Sequence, residues 1–162
     1  MSKGACILAH FADQEKLIPA AAKLSADRAI SHWDAVDGHV HLVAWTSEPQ
    51  AARDSIGTLE GVDRVTAYET AQPSSPIAPD PALCHAYVFI EAENAKRDQL
   101  MKALAGISGV TSVTAARGGC DLIALVSGET FSRVDVVIRD RIRSLDGVLR
   151  LKHNRIIDLK QL

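Results

Sequence analysis

The sequence predicts an α+β protein made of two tandem βαββαβ units, and three observations carry that prediction. The segment AQPSSPIAPDPA breaks the chain near its middle, because Pro73, Pro76, Pro79 and Pro81 remove backbone donors that a helix or central strand needs. The same order of strand-like and helix-like patterns stands on both sides of the break. The two sides also keep register: Gly38 and Gly118 lie 80 apart, and at that offset Leu24 meets Leu104, Leu42 meets Leu122 and Ala44 meets Ala124. The units are residues 1–70 and 83–162, joined by a linker at 71–82.

In order, the first unit reads as a strand at Ala5–Ala12, a helix ending near Leu24, a strand at Ala29–Val36, a turn at Asp37-Gly38, a strand at His39–Thr46, a helix from Pro49 to Leu59 and a strand at Val62–Glu69. Pro19 must either kink the first helix or open a shorter one. The second unit reads as a strand at His85–Ala92, a helix at Ala95–Ala105, strands at Val110–Ala116 and Cys120–Ser127, a helix at Ser132–Leu145 and a strand at Val148–Ile157. Its helices show apolar stripes at three- and four-residue steps, Leu100, Leu104 and Ile107 on one, Val134, Ile138, Ile142 and Leu145 on the other.

Period-two alternation sorts the strand faces. Val40, Leu42 and Ala44 share a face with Trp33 and Ala35, and that face takes the helices. The opposite face carries His32, Asp34, Val36, His39, His41, Val43 and Trp45, and in the second unit Ser112, Thr114, Asp121, Ile123 and Leu125. Val43, Trp45, Ile123 and Leu125 would leave an apolar patch in water, so the two open faces are expected to press together as an intramolecular pseudo-dimer.

Composition narrows the function. With 47% hydrophobic residues, 162 residues suffice for one good core or two small ones. A net charge of −2 and 4% aromatics offer a polyanion neither a general field nor stacking platforms, so direct nucleic-acid binding is not expected. No apolar run reaches the roughly 20 residues of a membrane span, and the start lacks a signal-peptide pattern. Cys6, Cys84 and Cys120 are an odd set without CxxC spacing, which reads as free thiols in the cytoplasm. No nucleophile elbow, P-loop or GxGxxG occurs, and no cofactor is expected.

The segment RGGCDLIALV joins two strands through glycines that permit positive φ and close approach of a ligand. From Ala86 to about Asp158 the chain resembles the Lrp/AsnC effector domain: a first strand AYVFI, a helix ending LAGISGV, the turn Gly118-Gly119-Cys120-Asp121 in place of Gly-x-aromatic-Asp, and a helix closing on LDGV. The likeness extends to the first unit through VDGHVHLVAW and LEGVDRVTAYE, where His41 stands in place of the acid. It implies ferredoxin-like units of the dimeric α/β-barrel type and a small-molecule effector, an amino acid, bound near Gly118, Gly119, Asp121 and Thr114. It also implies association with further copies or with related regulators. No helix-turn-helix segment occurs, so the expected function is ligand-binding regulation without a DNA reader of its own.

His32, Asp34, His39 and His41 form a rival site, since one sheet face presents imidazoles and a carboxylate that can ligate metal or haem. That reading makes the protein a dimeric α/β-barrel enzyme such as a small monooxygenase. The plainer account is a set of polar side chains lining a wet interface, and no metal is assigned. A third reading is an interaction module that alters the assembly of full-length regulators.

Overall fold

Asp13 starts the first helical segment by accepting the Glu15 N–H on its side chain at 3.1 Å. A single 3₁₀ turn at Gln14–Lys16 then leads into α1, Leu17–Ala26. Pro19 falls in the first turn of α1, where amides have no intrahelical acceptor, so it opens the helix rather than kinking it. The computed structural model describes residues 4–71 and 79–159, and the chain divides into two units, residues 4–71 with 156–159, and residues 79–155.

The first unit contains β1 (Gly4–Phe11), α1, β2 (His32–Asp37), β3 (Leu42–Thr46), α2 (Pro49–Gly57) and β4 (Val62–Thr70). Its antiparallel strands lie in the order β4-β1-β3-β2. The second contains β5 (Cys84–Ala92), a 3₁₀ turn at Asn94–Lys96, α3 (Arg97–Ala105), β6 (Val110–Arg117), β7 (Leu122–Gly128), α4 (Phe131–Val136, extended by a π-helical stretch over Val137–Ile142) and β8 (Val148–Ile156), its strands in the matching order β8-β5-β7-β6. The fold class is α+β, two ferredoxin-like units in tandem along the chain.

The end of the chain differs from the sequence boundary. The sequence runs the second unit on to residue 162, whereas Ile157 donates its N–H to the Ala35 carbonyl at 2.9 Å, and Ile157 and Leu159 pack on the first core. The expected linker at 71–82 lies largely outside the described residues, with Pro73 and Pro76; Pro79 and Pro81 stand just before β5.

One sheet face in each unit is sealed by helices. Ala5, Ile7, Ala9, Phe11, Leu42 and Ala44 meet Leu17, Leu24, Ala52 and Ile56, while Ala86, Val88, Ile90, Leu122, Ala124 and Val126 meet Leu100, Leu104, Val134, Ile138 and Ile142. On the opposite faces Val43, Trp45, Ile123 and Leu125 are all buried. The α-helical start of α4, Phe131–Val136, continues as a π-helix over Val137–Ile142, with the Arg143 N–H reaching the Ile138 carbonyl at 2.9 Å. Four-residue steps drift by about 40° in a 3.6-residue helix, and the wider π turn takes the drift back, so Val134, Ile138 and Ile142 stay on the core.

The duplication reaches fine detail. Ala12 N–H bonds the Gly61 carbonyl at 2.8 Å as Glu93 N–H bonds that of Gly147 at 2.9 Å. Lys16 pairs with Glu60 as Lys96 pairs with Asp146. Ala9 opposes Leu42 as Ile90 opposes Leu122, so β1 and β5 are offset by 81 while the hairpins keep 80.

Candidate functional site

β5 runs against β8 with a register shift between Glu91 and Ala92. A bulge takes an amide off the ladder. At this bulge the Ala92 N–H finds Asp121 Oδ2 at 2.8 Å. Asp121 is further tied by its backbone, donating its N–H to Ile90 O at 2.8 Å and accepting the Ala116 N–H at 2.9 Å. Gly118 (φ 104°) and Gly119 (φ 141°) make the preceding turn in a region that disfavours side chains.

These groups border a cavity of about 400 Å³ shared with Arg150, Leu149 and Cys120. Ladder pairing sets Glu91 opposite Arg150, and their side chains form an ion pair at 3.2 Å. The cavity thus presents a cation, two carboxylates and an apolar wall, Leu149, which is 64% exposed. Burial pushes the Cys120 thiol up to about 12, the nearby Asp121 and Glu91 carboxylates add to this, and Arg97 opposes it. At neutral pH the group is a thiol, not a nucleophile.

Of the residues expected here, Gly118, Gly119 and Asp121 come together. Thr114 does not: it sits farther along β6 opposite Ile123, away from the lining of this cavity. Glu91, Leu149 and Arg150 were missed by the sequence reading, because only the β5–β8 pairing brings them to the turn.

The first unit fills the same place differently. His41 donates its backbone N–H to Ala9 O and accepts the Val36 N–H, both at 2.9 Å, matching Asp121 bond for bond. Its Nδ1 lies 2.9 Å from the Phe11 N–H, beside the bulge between His10 and Phe11. Accepting there puts the proton of the neutral ring on Nε2. The His10 ring stands 4.6 Å away, with its Nδ1 2.7 Å from Asp63 Oδ1. Burial, and then the His10 charge, hold His41 below the ordinary histidine range.

The rival set does not converge. His32 Nε2 and Asp34 Oδ2 are 2.9 Å apart on the open face of β2, and that hydrogen bond raises the His32 pKa against the opposing effect of burial. His39 and His41, however, lie in the connection between Asp37 and Leu42 rather than on the expected strand from His39, so alternation does not extend to them. Among the described residues no group of three or more His, Cys, Asp and Glu side chains is placed to hold a metal ion.

The tandem ferredoxin-like units are those of the dimeric α/β-barrel class. Over 96% of this chain and 71% of the other, the structure is similar to the siroheme decarboxylase NirDL, solved with an iron-uroporphyrin III analogue, at a TM-score of 0.74 and 13% identity. Over 97% and 94% it is similar to a putative monooxygenase from Lactobacillus acidophilus NCFM, at a TM-score of 0.57 and 9% identity. These likenesses concern the fold. Residues 85–158 match the family model of the Lrp/AsnC ligand binding domain, in agreement with the resemblance read from the turn at Gly118 to Asp121. TTHA0845 from Thermus thermophilus is 29% identical over 46% of this chain and 94% of its own, at a TM-score of 0.45. No match was found among the curated proteins. No helix of the described residues is long and apolar enough to cross a membrane.

Proposed function

We propose that the protein is a small-molecule-responsive regulatory module whose effector is an amino acid bound in the second unit, between Asp121, Glu91 and Arg150. The observation that carries this reading is the mixed charge of one small cavity. A zwitterion can divide the exposed Glu91–Arg150 pair, placing its carboxylate on the guanidinium fork and its ammonium between Glu91 and Asp121. Asp121 has capacity for this, since a carboxylate offers about four lone-pair sites and the Ala92 amide occupies one. The match of residues 85–158 to the Lrp/AsnC ligand binding domain supports a ligand site in the second unit.

The test is a thermal-shift screen against amino acids followed by isothermal titration. A ligand at 100 times its Kd adds about 2.7 kcal/mol to stability. Asp121→Asn and Arg150→Gln should each weaken binding by about 1.5–3 kcal/mol, the scale of a hydrogen bond to a charged group. His41→Asn, at the matching position of the first unit, should bind as wild type does. Equal affinity in wild type and Asp121→Asn would remove the assigned role.

The wider assignment has the module working in the cytoplasm, consistent with the free thiols Cys6, Cys84 and Cys120, and acting on transcription through related regulators rather than by its own DNA contact. A sequence-dependent gel shift by the isolated protein at physiological salt would refute the last point. The His32–Asp34 hydrogen bond favours a second reading, an enzyme in which that imidazole handles protons. An absorbance scan for haem with metal analysis discriminates, a stoichiometric bound group putting the enzyme ahead.

A further inference from the structure

The second unit has another cavity, of about 420 Å³, where α4 passes the start of β6 and the end of β7. Ser108, Ser127, Glu129, Arg133, Val137 and Arg141 border it. None of these belongs to the cavity at Asp121.

The carboxylates of α4 hold other arginines, Asp135 pairing with Arg155 at 2.6 Å and Asp140 with Arg139 at 2.9 Å, although Asp140 also feels the charge of Arg141. Arg133 and Arg141 have no ion-pair partner among the described residues, although both line the same cavity. Their common placement follows from the helix. Eight residues turn through about 80° beyond two full turns in an α-helix, which would splay the two side chains. The π-helical stretch at Val137–Ile142 winds more slowly and brings 133, 137 and 141 back onto one stripe, adjacent to the core stripe of 134, 138 and 142.

The first unit lacks this arrangement. Its α2 buries Ala52 and Ile56 as α4 buries Val134 and Ile138, and in that register Ala51 and Leu59 stand where Arg133 and Arg141 stand. The helix there ends at Gly57, without a π turn. The paired guanidinium groups therefore belong to the second unit alone and are not required by the repeated fold.

We propose that this cavity is a separate site for a small organic anion, its carboxylate or phosphate group taken by Arg133 and Arg141, hydroxyl bonds supplied by Ser108 and Ser127, and a short apolar body resting on Val137. Two guanidinium groups against the single carboxylate of Glu129 leave the lining one positive charge in excess. Planar guanidinium forks suit both oxyanion types.

Isothermal titration with inorganic phosphate and with succinate tests the proposal and separates the two head groups. Wild type should bind at least one of them with millimolar or tighter affinity, and Arg133→Gln/Arg141→Gln should weaken that binding by at least about tenfold. Arg133→Lys/Arg141→Lys, which keeps charge but not the fork, should fall between them. Asp121→Asn should bind the anion as wild type does, which keeps this outcome distinct from failure of the amino-acid site. Both arginines are exposed, so the variants should retain the wild-type far-ultraviolet circular dichroism. Binding of neither anion by wild type, or equal binding by the double glutamine variant, would overturn the proposal.

Discussion

The two bulge corners make the same three backbone-directed hydrogen bonds with different chemistry. At the first, a neutral imidazole accepts the Phe11 amide; at the second, a carboxylate accepts that of Ala92. Around the imidazole are His10 and Asp63, whereas around the carboxylate are Glu91 and Arg150. A structural position inherited by both units thus carries a carboxylate in one and an imidazole in the other. The duplicated fold needs an acceptor at this place, and it does not specify which.

The largest expected effect comes from deleting the acceptor. Asp121→Ala leaves a part-buried amide unpaired and should cost about 1–3 kcal/mol in urea denaturation. His41→Ala should cost less, about 1 kcal/mol, because its acceptor is neutral. A reversed order would break the comparison.

The matched glycines should also diverge. Gly118 has φ 104°, whereas Gly38 is not among the glycines at positive φ. Gly118→Ala should therefore destabilise by roughly 1 kcal/mol or more, and Gly38→Ala should be neutral or stabilise by up to ~1 kcal/mol through the unfolded chain. Equal losses by thermal melting would mean that the two turns share their backbone demands after all.

Replacing the carboxylate while keeping an acceptor sharpens the point. Asp121→Asn should lose less than about 1 kcal/mol, since the amide oxygen can still take the Ala92 N–H. A loss as large as that of Asp121→Ala, measured in the same denaturant series, would show that charge rather than acceptance holds the corner.

The smallest effect is the pH response. His41 is held below its unfolded value by burial and by His10, against the opposing Asp37 and Asp63. Its contribution is complete above about pH 6.5 and is lost as pH falls through the folded value, when protonated Nδ1 can no longer accept the Phe11 amide. His32, raised by Asp34, has the opposite sign: its contribution is present below about pH 6.5 and disappears as pH rises through the folded value. Melting temperatures across pH 5 to 7 should show His41→Gln losing less stability on acidification than wild type, and His32→Gln losing more. Parallel curves for wild type and His41→Gln would remove the imidazole from this role.

The order of elements, the helix stripes and the helix-covered sheet faces were legible in the sequence, because 3.6- and 2-residue periods are properties of neighbouring residues. Val134, Ile138 and Ile142 marked α4 without reference to the rest of the chain, and Trp33, Ala35, Leu42 and Ala44 marked one face of their hairpin. Even the equivalence of His41 and Asp121 followed from a constant offset of 80. Strand ends were less legible: β3 begins at Leu42 rather than His39, since the connection after Asp37 takes residues that alternation would have assigned to a strand. What only the tertiary structure decided was who stands beside whom. Glu91 meets Arg150 across β5 and β8, Asp121 is committed to the Ala92 amide by a bulge, and a π turn aligns Arg133 with Arg141. Such relations depend on register between distant segments, which is set when whole faces are buried together and leaves no mark in the local periodicity of any one of them.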